Sequence, residues 1–311
     1  MNTLIENLDE ILSKETLLAV IYFRLKNGEV KLADIDNNVM PQILKLYKNK
    51  IENDLVNNDD LELLNLSEAD ERKNVIYKYD FDRKREPFLS VNTVVDDEKI
   101  RIFSFSNDIL ENIDAIIAKI GNAEESMYLY SKFYPVNLIK QGKAIKLIKS
   151  DHRFKMFTDQ LIQITGEFDI IRYNNEYYIK KYEILERYYQ FENVIKERTK
   201  NDFEKIRKLE IIENEDKLFE YLENKTSRAR KFIKVMASSK VIQKNIPNDK
   251  LISFVTNHPK LKDSIKTNDD KDKFVLNTNK SCEYFLKLLD DDFLKSELTQ
   301  EEYEAIAKNN V

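Results

Sequence analysis

The apolar pattern of this chain changes its period at Tyr182. Before that residue, short apolar runs alternate with polar residues at two-residue steps, the spacing that puts one face of a β-strand on a core. After it, Ile184, Tyr188, Phe191 and Ile195 recur at three- and four-residue steps, which is one face of an α-helix. The pattern predicts an α+β protein: an N-terminal mixed or antiparallel sheet region with helices over residues 1–181, then a mostly helical C-terminal half over 182–311. A chain of 311 residues can bury one large core or two ordinary ones, so the halves are separate domains or one continuous domain.

Turn chemistry and periodicity locate the elements. Residues 2–13 read as an amphipathic helix. Residues 17–25 and 30–35 flank Asn27-Gly28, a dipeptide that tolerates positive φ and so suits a tight hairpin turn. Residues 41–56 read as a helix, and 75–81, 100–105, 127–134 and 144–148 as strands. A second hairpin is predicted from 168–172 and 177–180, turning at Asn174-Asn175. Further helices are expected near 202–212, 215–224, 227–244 and 279–289, with exposed connections at 245–249 and 267–273.

Scarcity of glycine removes whole classes of chemistry. The 4 glycines, Gly28, Gly121, Gly142 and Gly166, are isolated, and none can be written into a phosphate-cradling G-x-G-x-x-G or G-x-x-x-x-G-K-S/T loop. The single cysteine, Cys282, forms no internal disulfide, and His152 and His258 have no further histidine or cysteine near them, so no Cys/His zinc site assembles. No metal and no cofactor is expected. The first residues, MNTLIENLDEIL, carry acids where a secretory signal carries lysines, and no run approaches the roughly 18 apolar residues of a spanning helix. A cytoplasmic location without direct membrane insertion follows.

Catalytic candidates are few, and the balance leans away from an enzyme. Ser150-Asp151-His152 holds triad residue types, but sequence neighbours point apart and a triad needs convergence. Glu29-Val30-Lys31 and Glu223-Asn224-Lys225 carry the carboxylate and lysine of metal-dependent nucleases, and read as solvated pairs. Asp290-Asp291-Asp292 could hold Mg²⁺, but follows an apolar helix face and reads as a solvated helix exit. Thr299-Gln300-Glu301-Glu302 reads as a capping box.

The net charge of −5 hides a strong segregation. Between 225 and 250 the chain carries Lys225, Arg228, Arg230, Lys231, Lys234, Lys240, Lys244 and Lys250 against Asp249 alone. On a helical wheel Ala229, Phe232, Ile233 and Met236 gather on one side, and Arg228, Arg230, Lys231 and Lys234 are expected on the opposite arc. A second excess holds Lys140, Lys143, Lys146, Lys149, Arg153 and Lys155, and Arg83-Lys84-Arg85 a third. The candidate DNA-binding residues are Arg228, Arg230, Lys231, Lys234, Lys240, Lys244, Lys140, Lys143, Lys146 and Arg153, tracking phosphates with little base readout.

A family resemblance joins these features. Phe168-Asp169-Ile170-Ile171, Tyr178-Ile179, the stretch Ile184-Leu185-Glu186-Arg187-Tyr188-Tyr189-Gln190-Phe191-Glu192, and Leu288 to Thr299 with Tyr303 resemble, in order and spacing, the KwaB family of bacterial Kiwa anti-phage systems. The resemblance spans roughly the second half. It implies a cytoplasmic DNA-binding effector, a homodimer, working beside a membrane protein, KwaA, and peripheral at the inner membrane only through that partner. Its expected action is to bind DNA and obstruct phage replication or transcription. Two rivals stay open: a Mg-dependent nuclease in the same defence role, and a non-enzymatic protein–protein adaptor docking through the acidic 54–71 and 290–304 regions.

Overall fold

The computed structural model describes residues 3–69, 74–97, 99–122, 124–139, 146–150, 152–157, 159–295 and 302–304. The chain divides into two compact units, Met1–Leu64 with Arg72–Tyr189, and Asn65–Glu71 with Gln190–Val311. No helix among the described residues is long and apolar enough to cross a membrane.

In the first unit α1 (Thr3–Ser13) leads into β1 (Leu18–Leu25), which turns through Asn27-Gly28 into β2 (Val30–Leu32). Gly28 sits at φ +89°, where a Cβ is strained. α2 (Met40–Ile51) carries Pro41 in its first turn, where the missing N–H is not needed, and runs on as a π turn to Val56. There follow β3 (Glu62–Asn65), β4 (Val75–Lys78), α3 (Phe88–Asp96), β5 (Ile113–Gly121) and β6 (Ser126–Lys132). Short strands β7 (Leu138–Ile139), β8 (Leu147–Ser150), β9 (Arg153–Met156) and β10 (Leu161–Ile162) precede β11 (Ile170–Tyr173), β12 (Glu176–Ile179) and α4 (Glu183–Tyr188).

Eight strands form one sheet in the order β2-β1-β5-β6-β11-β12-β4-β3, and the pairs from β2 to β4 are antiparallel. The α+β expectation holds. One face packs Ile21, Phe23, Ile120 and Leu129 against Leu8 and Ile11 of α1 and Tyr47 and Ile51 of α2. Residues facing across a ladder share a side, so Tyr22–Ile117–Tyr130 and Arg24–Ala115–Lys132 line the other face.

The second unit contains α5 (Phe191–Arg207), α6 (Glu215–Glu223), α7 (Thr226–Ser238), α8 (Lys240–Gln243) and α9 (Asn248–Asn257). A small hairpin, β13 (Lys266–Thr267) and β14 (Phe274–Val275), precedes α10 (Asn279–Leu289) and the pair β15 (Phe293–Lys295) and β16 (Glu302–Glu304). Phe203, Leu218, Phe232, Phe274 and Phe285 centre its core.

Several expectations are corrected. The central strand β5 was not anticipated: Ile113–Gly121 is buried on both sides and reads as an apolar run without alternation. Residues 100–105 make no strand, only a bridge from Ile102 to Leu32, and Phe105 is 78% exposed. Helices α3 and α9 were not anticipated either, and the helix expected near 202 begins at Phe191. The helix expected over 227–244 breaks at Ser239, whose extended ψ of 119° interrupts it while its Oγ accepts from the Ile242 N–H to cap α8. Thr299 to Glu301 of the supposed capping box lie outside the described residues, and Glu302 opens a strand. A capping box does form at α10, between Thr278 and Ser281.

Candidate nucleic-acid interface

Helix α7 carries the densest predicted cations, and its packing decides which of them face outward. Ala229, Phe232, Ile233 and Val235 are buried. Arg228 stands four and seven residues before Phe232 and Val235, which places it on that same inward stripe. Its guanidinium lies 4.1 Å from the centre of the Tyr221 ring, and its Nη1 donates to the Tyr221 carbonyl at 3.3 Å. Burial pushes the Tyr221 phenol above its ordinary value, with the arginine opposing. Arg228 therefore does not belong to the outward arc.

Lys231 is also engaged. Its Nζ lies 3.6 Å from Oδ2 of Asp292, which is only 7% exposed, so of the helix exit expected to be solvated Asp291 is exposed and Asp292 is not. Asp291 takes the left-handed conformation at φ +59° that lets the chain leave α10 and enter β15. The Arg230 guanidinium lies 6.0 Å from the Phe191 ring at the start of α5, and Lys234 is half-buried. Lys240 and Lys244 are exposed at the two ends of α8, and Lys225 and Lys250 are exposed as well.

Two cations that sequence reasoning missed lie in the same unit. Lys196 and Lys200, one helical turn apart on α5, are exposed and line a groove together with Phe219, Glu223, Thr226 and Ala229. Their spacing of four residues was the available signal; it was hidden because α5 mixes acids and bases along its length.

The remaining predicted residues belong to the other unit. Lys140 and Lys143 lie outside the described residues. Lys146, half-buried, precedes β8, and Arg153, exposed, opens β9. Arg83 of the third basic cluster is built into the fold, donating to the Asn175 carbonyl at 2.6 Å and pairing with Glu176.

A polar cluster on the second sheet face was also absent from the sequence reading. Arg24 of β1 pairs with Asp114 and donates from Nε to Ser90 at 3.0 Å and to Glu86 at 3.3 Å. Asp114 also pairs with Lys132, whose Nζ sits 4.8 Å from the centre of the Tyr188 ring. Tyr130 and Tyr189 share a hydroxyl–hydroxyl bond, and burial pushes the Tyr130 phenol far up. Burial pulls Arg24 down, but Tyr130, Glu86, Tyr189 and Asp114 outweigh it and leave the guanidinium above its ordinary value. Two cations set against two carboxylates make this a self-neutralised network. Among the described residues no group of three or more His, Cys, Asp or Glu side chains is placed to hold a metal ion.

The Kiwa protein KwaB-like family model matches residues 110–299, more than half of the 311. The chain belongs to that family. A curated relative, Kiwa protein KwaB of Escherichia coli O55:H7 (strain RM12579 / EPEC), is 27% identical over 314 residues, covering 98% of this chain and 97% of that protein. No solved structure matches. Family membership makes the chain a component of Kiwa anti-phage defence. The matched region takes in the sheet from β5 onward and the described part of the helical unit up to β15, including the whole cationic stretch of α7 and α8.

Proposed function

We propose that this Kiwa component holds duplex DNA through phosphate contacts made by its helical unit, and obstructs replication or transcription of phage DNA by occupancy, without cutting it. One observation carries the reading: between 225 and 250 eight named cations meet one acid, and Lys225, Lys240, Lys244 and Lys250 are exposed. Cations that displace condensed counterions bind any duplex sequence, and the affinity falls steeply with salt. Lys196 and Lys200 extend the set, and Arg230 and Lys234 flank it. Lys231 and Arg228 act by holding α7 in place.

Action as a homodimer beside the membrane protein KwaA, at the cytoplasmic side of the inner membrane, is part of the same proposal and rests on the family.

Electrophoretic retardation of a short random duplex tests it. About five phosphate contacts predict a loss of roughly 10²–10³ in affinity from about 50 to about 200 mM salt. Salt-independent retention sinks the reading. Incubating the protein with supercoiled plasmid and Mg²⁺ separates occupancy from cleavage, and nicked or linear product would replace the proposal with the nuclease.

A further inference from the structure

β8 and β9 form a two-stranded sheet of their own that pairs with no other strand among the described residues. Such a ribbon is marginal in water unless something covers a face. Its register gathers three large apolar side chains on one side. Leu147 faces Met156 and Lys149 faces Phe154, and these four share one side; Ile148, 48% exposed, faces Lys155 on the other, which Arg153 shares. The apolar residues of the first side stand in solvent: Leu147 is 60%, Phe154 71% and Met156 60% exposed. From 146 to 157 the sequence holds Lys146, Lys149, Arg153 and Lys155 against Asp151 alone.

We propose that this ribbon is an interfacial membrane-binding element that lies on an anionic lipid surface, without spanning it. Leu147, Phe154 and Met156 enter the boundary between headgroups and acyl chains. Arg153 and Lys155, on the opposite side, then sit at the depth of the lipid phosphates, and Lys149 reaches them with its long stem. Charge complementarity and the apolar face together select this occupant. A duplex uses the cations but leaves three large apolar side chains in water, and the buried centre of a protein interface is depleted in lysine. The inference concerns lipid itself and uses residues separate from the α7–α8 cations, so either proposal can fail alone.

The test is flotation of the full-length protein with vesicles of phosphatidylglycerol and phosphatidylcholine in equal parts, against vesicles of phosphatidylcholine alone. The chain has no tryptophan, so F154W gives a single reporter at the centre of the apolar side. The protein is expected to float with the anionic vesicles, F154W emission to shift to the blue on their addition, and both effects to weaken in high salt. The triple variant Leu147→Ser, Phe154→Ser, Met156→Ser is expected to lose about tenfold or more of the vesicle binding. Its melting temperature and DNA retention should stay at the wild-type values, since these side chains touch no core. Wild-type protein left unbound by anionic vesicles overturns the proposal. So does an unshifted F154W spectrum, or a triple variant that binds vesicles normally. A triple variant that loses DNA retention or self-association in place of vesicle binding assigns the ribbon to those partners and overturns it equally.

Discussion

Helix α7 and the β8–β9 ribbon look alike in the sequence, each a basic run interleaved with large apolar residues, yet the structure uses them in opposite ways. On α7 the apolar residues form the core and the cations beside them are tied down, Arg228 over Tyr221, Lys231 against Asp292 and Arg230 by the Phe191 ring. On the ribbon every described strand side chain of β9 is exposed, apolar and basic alike. A run of lysines is therefore not yet a surface. Whether a cation serves the fold or a ligand depends on what the rest of the chain packs beneath it.

The largest effect that could break this contrast is at the two phenylalanines. Phe232→Ala is expected to destabilise the helical unit by about 3–5 kcal/mol in urea unfolding, through the cavity it leaves, while Phe154→Ala should change stability by less than about 0.5 kcal/mol. Equal costs at the two sites would erase the distinction. Next in size, the triple reversal Lys240→Glu, Lys244→Glu, Lys250→Glu, at three exposed positions, should weaken duplex retention by about 100-fold or more with the melting temperature little changed. Unaltered retention would move the interface elsewhere.

A smaller effect separates cations that hold the fold from those that do not. Arg228→Ala should cost about 1–2 kcal/mol, from the lost ring contact and carbonyl bond, whereas Arg153→Ala should be neutral in the same unfolding assay. The smallest effect is with pH. Glu125 is held below its ordinary value by hydrogen bonds from Lys14 and Tyr173, and Asp108 by the Ser104 N–H, with Lys31 helping against burial. Both carboxylates titrate lower in the fold than in the unfolded chain, so their stabilisation is present above the unfolded values of 4.5 and 3.8 and is lost as pH falls through the folded ones. The double variant Glu125→Gln, Asp108→Asn should flatten the fall of stability with acid, and an unchanged slope would remove both groups from the account.

Much of the scaffold was legible because it rests on local chemistry. Asn174 and Asn175 take φ of +46° and +60° in a turn, and asparagine tolerates that region, so the β11–β12 hairpin could be read directly. The same holds for the turn at Gly28 and for the amphipathic α1 and α2. β5 was illegible for the opposite reason. A strand covered on both faces has no alternation, and only its pairing with β1 and β6 reveals it. The false strand at 100–105 shows the converse, alternation without a partner ladder.

The candidate site divides the same way. The excess of cations between 225 and 250 and the family likeness were present in the residues alone. That Arg228 turns inward, that Lys231 meets Asp292 and that Lys196 and Lys200 line a groove depended on helix packing. Arg24 and Asp114 are 90 residues apart in the chain, and Asp114 and Lys132 are 18 apart, yet the sheet order β1-β5-β6 brings all three together. Composition and spacing act through neighbours a few residues away, so they set turns, helix faces and local charge. Partnership between distant charges depends on which strands and helices become adjacent, and adjacency is a property of the closed core.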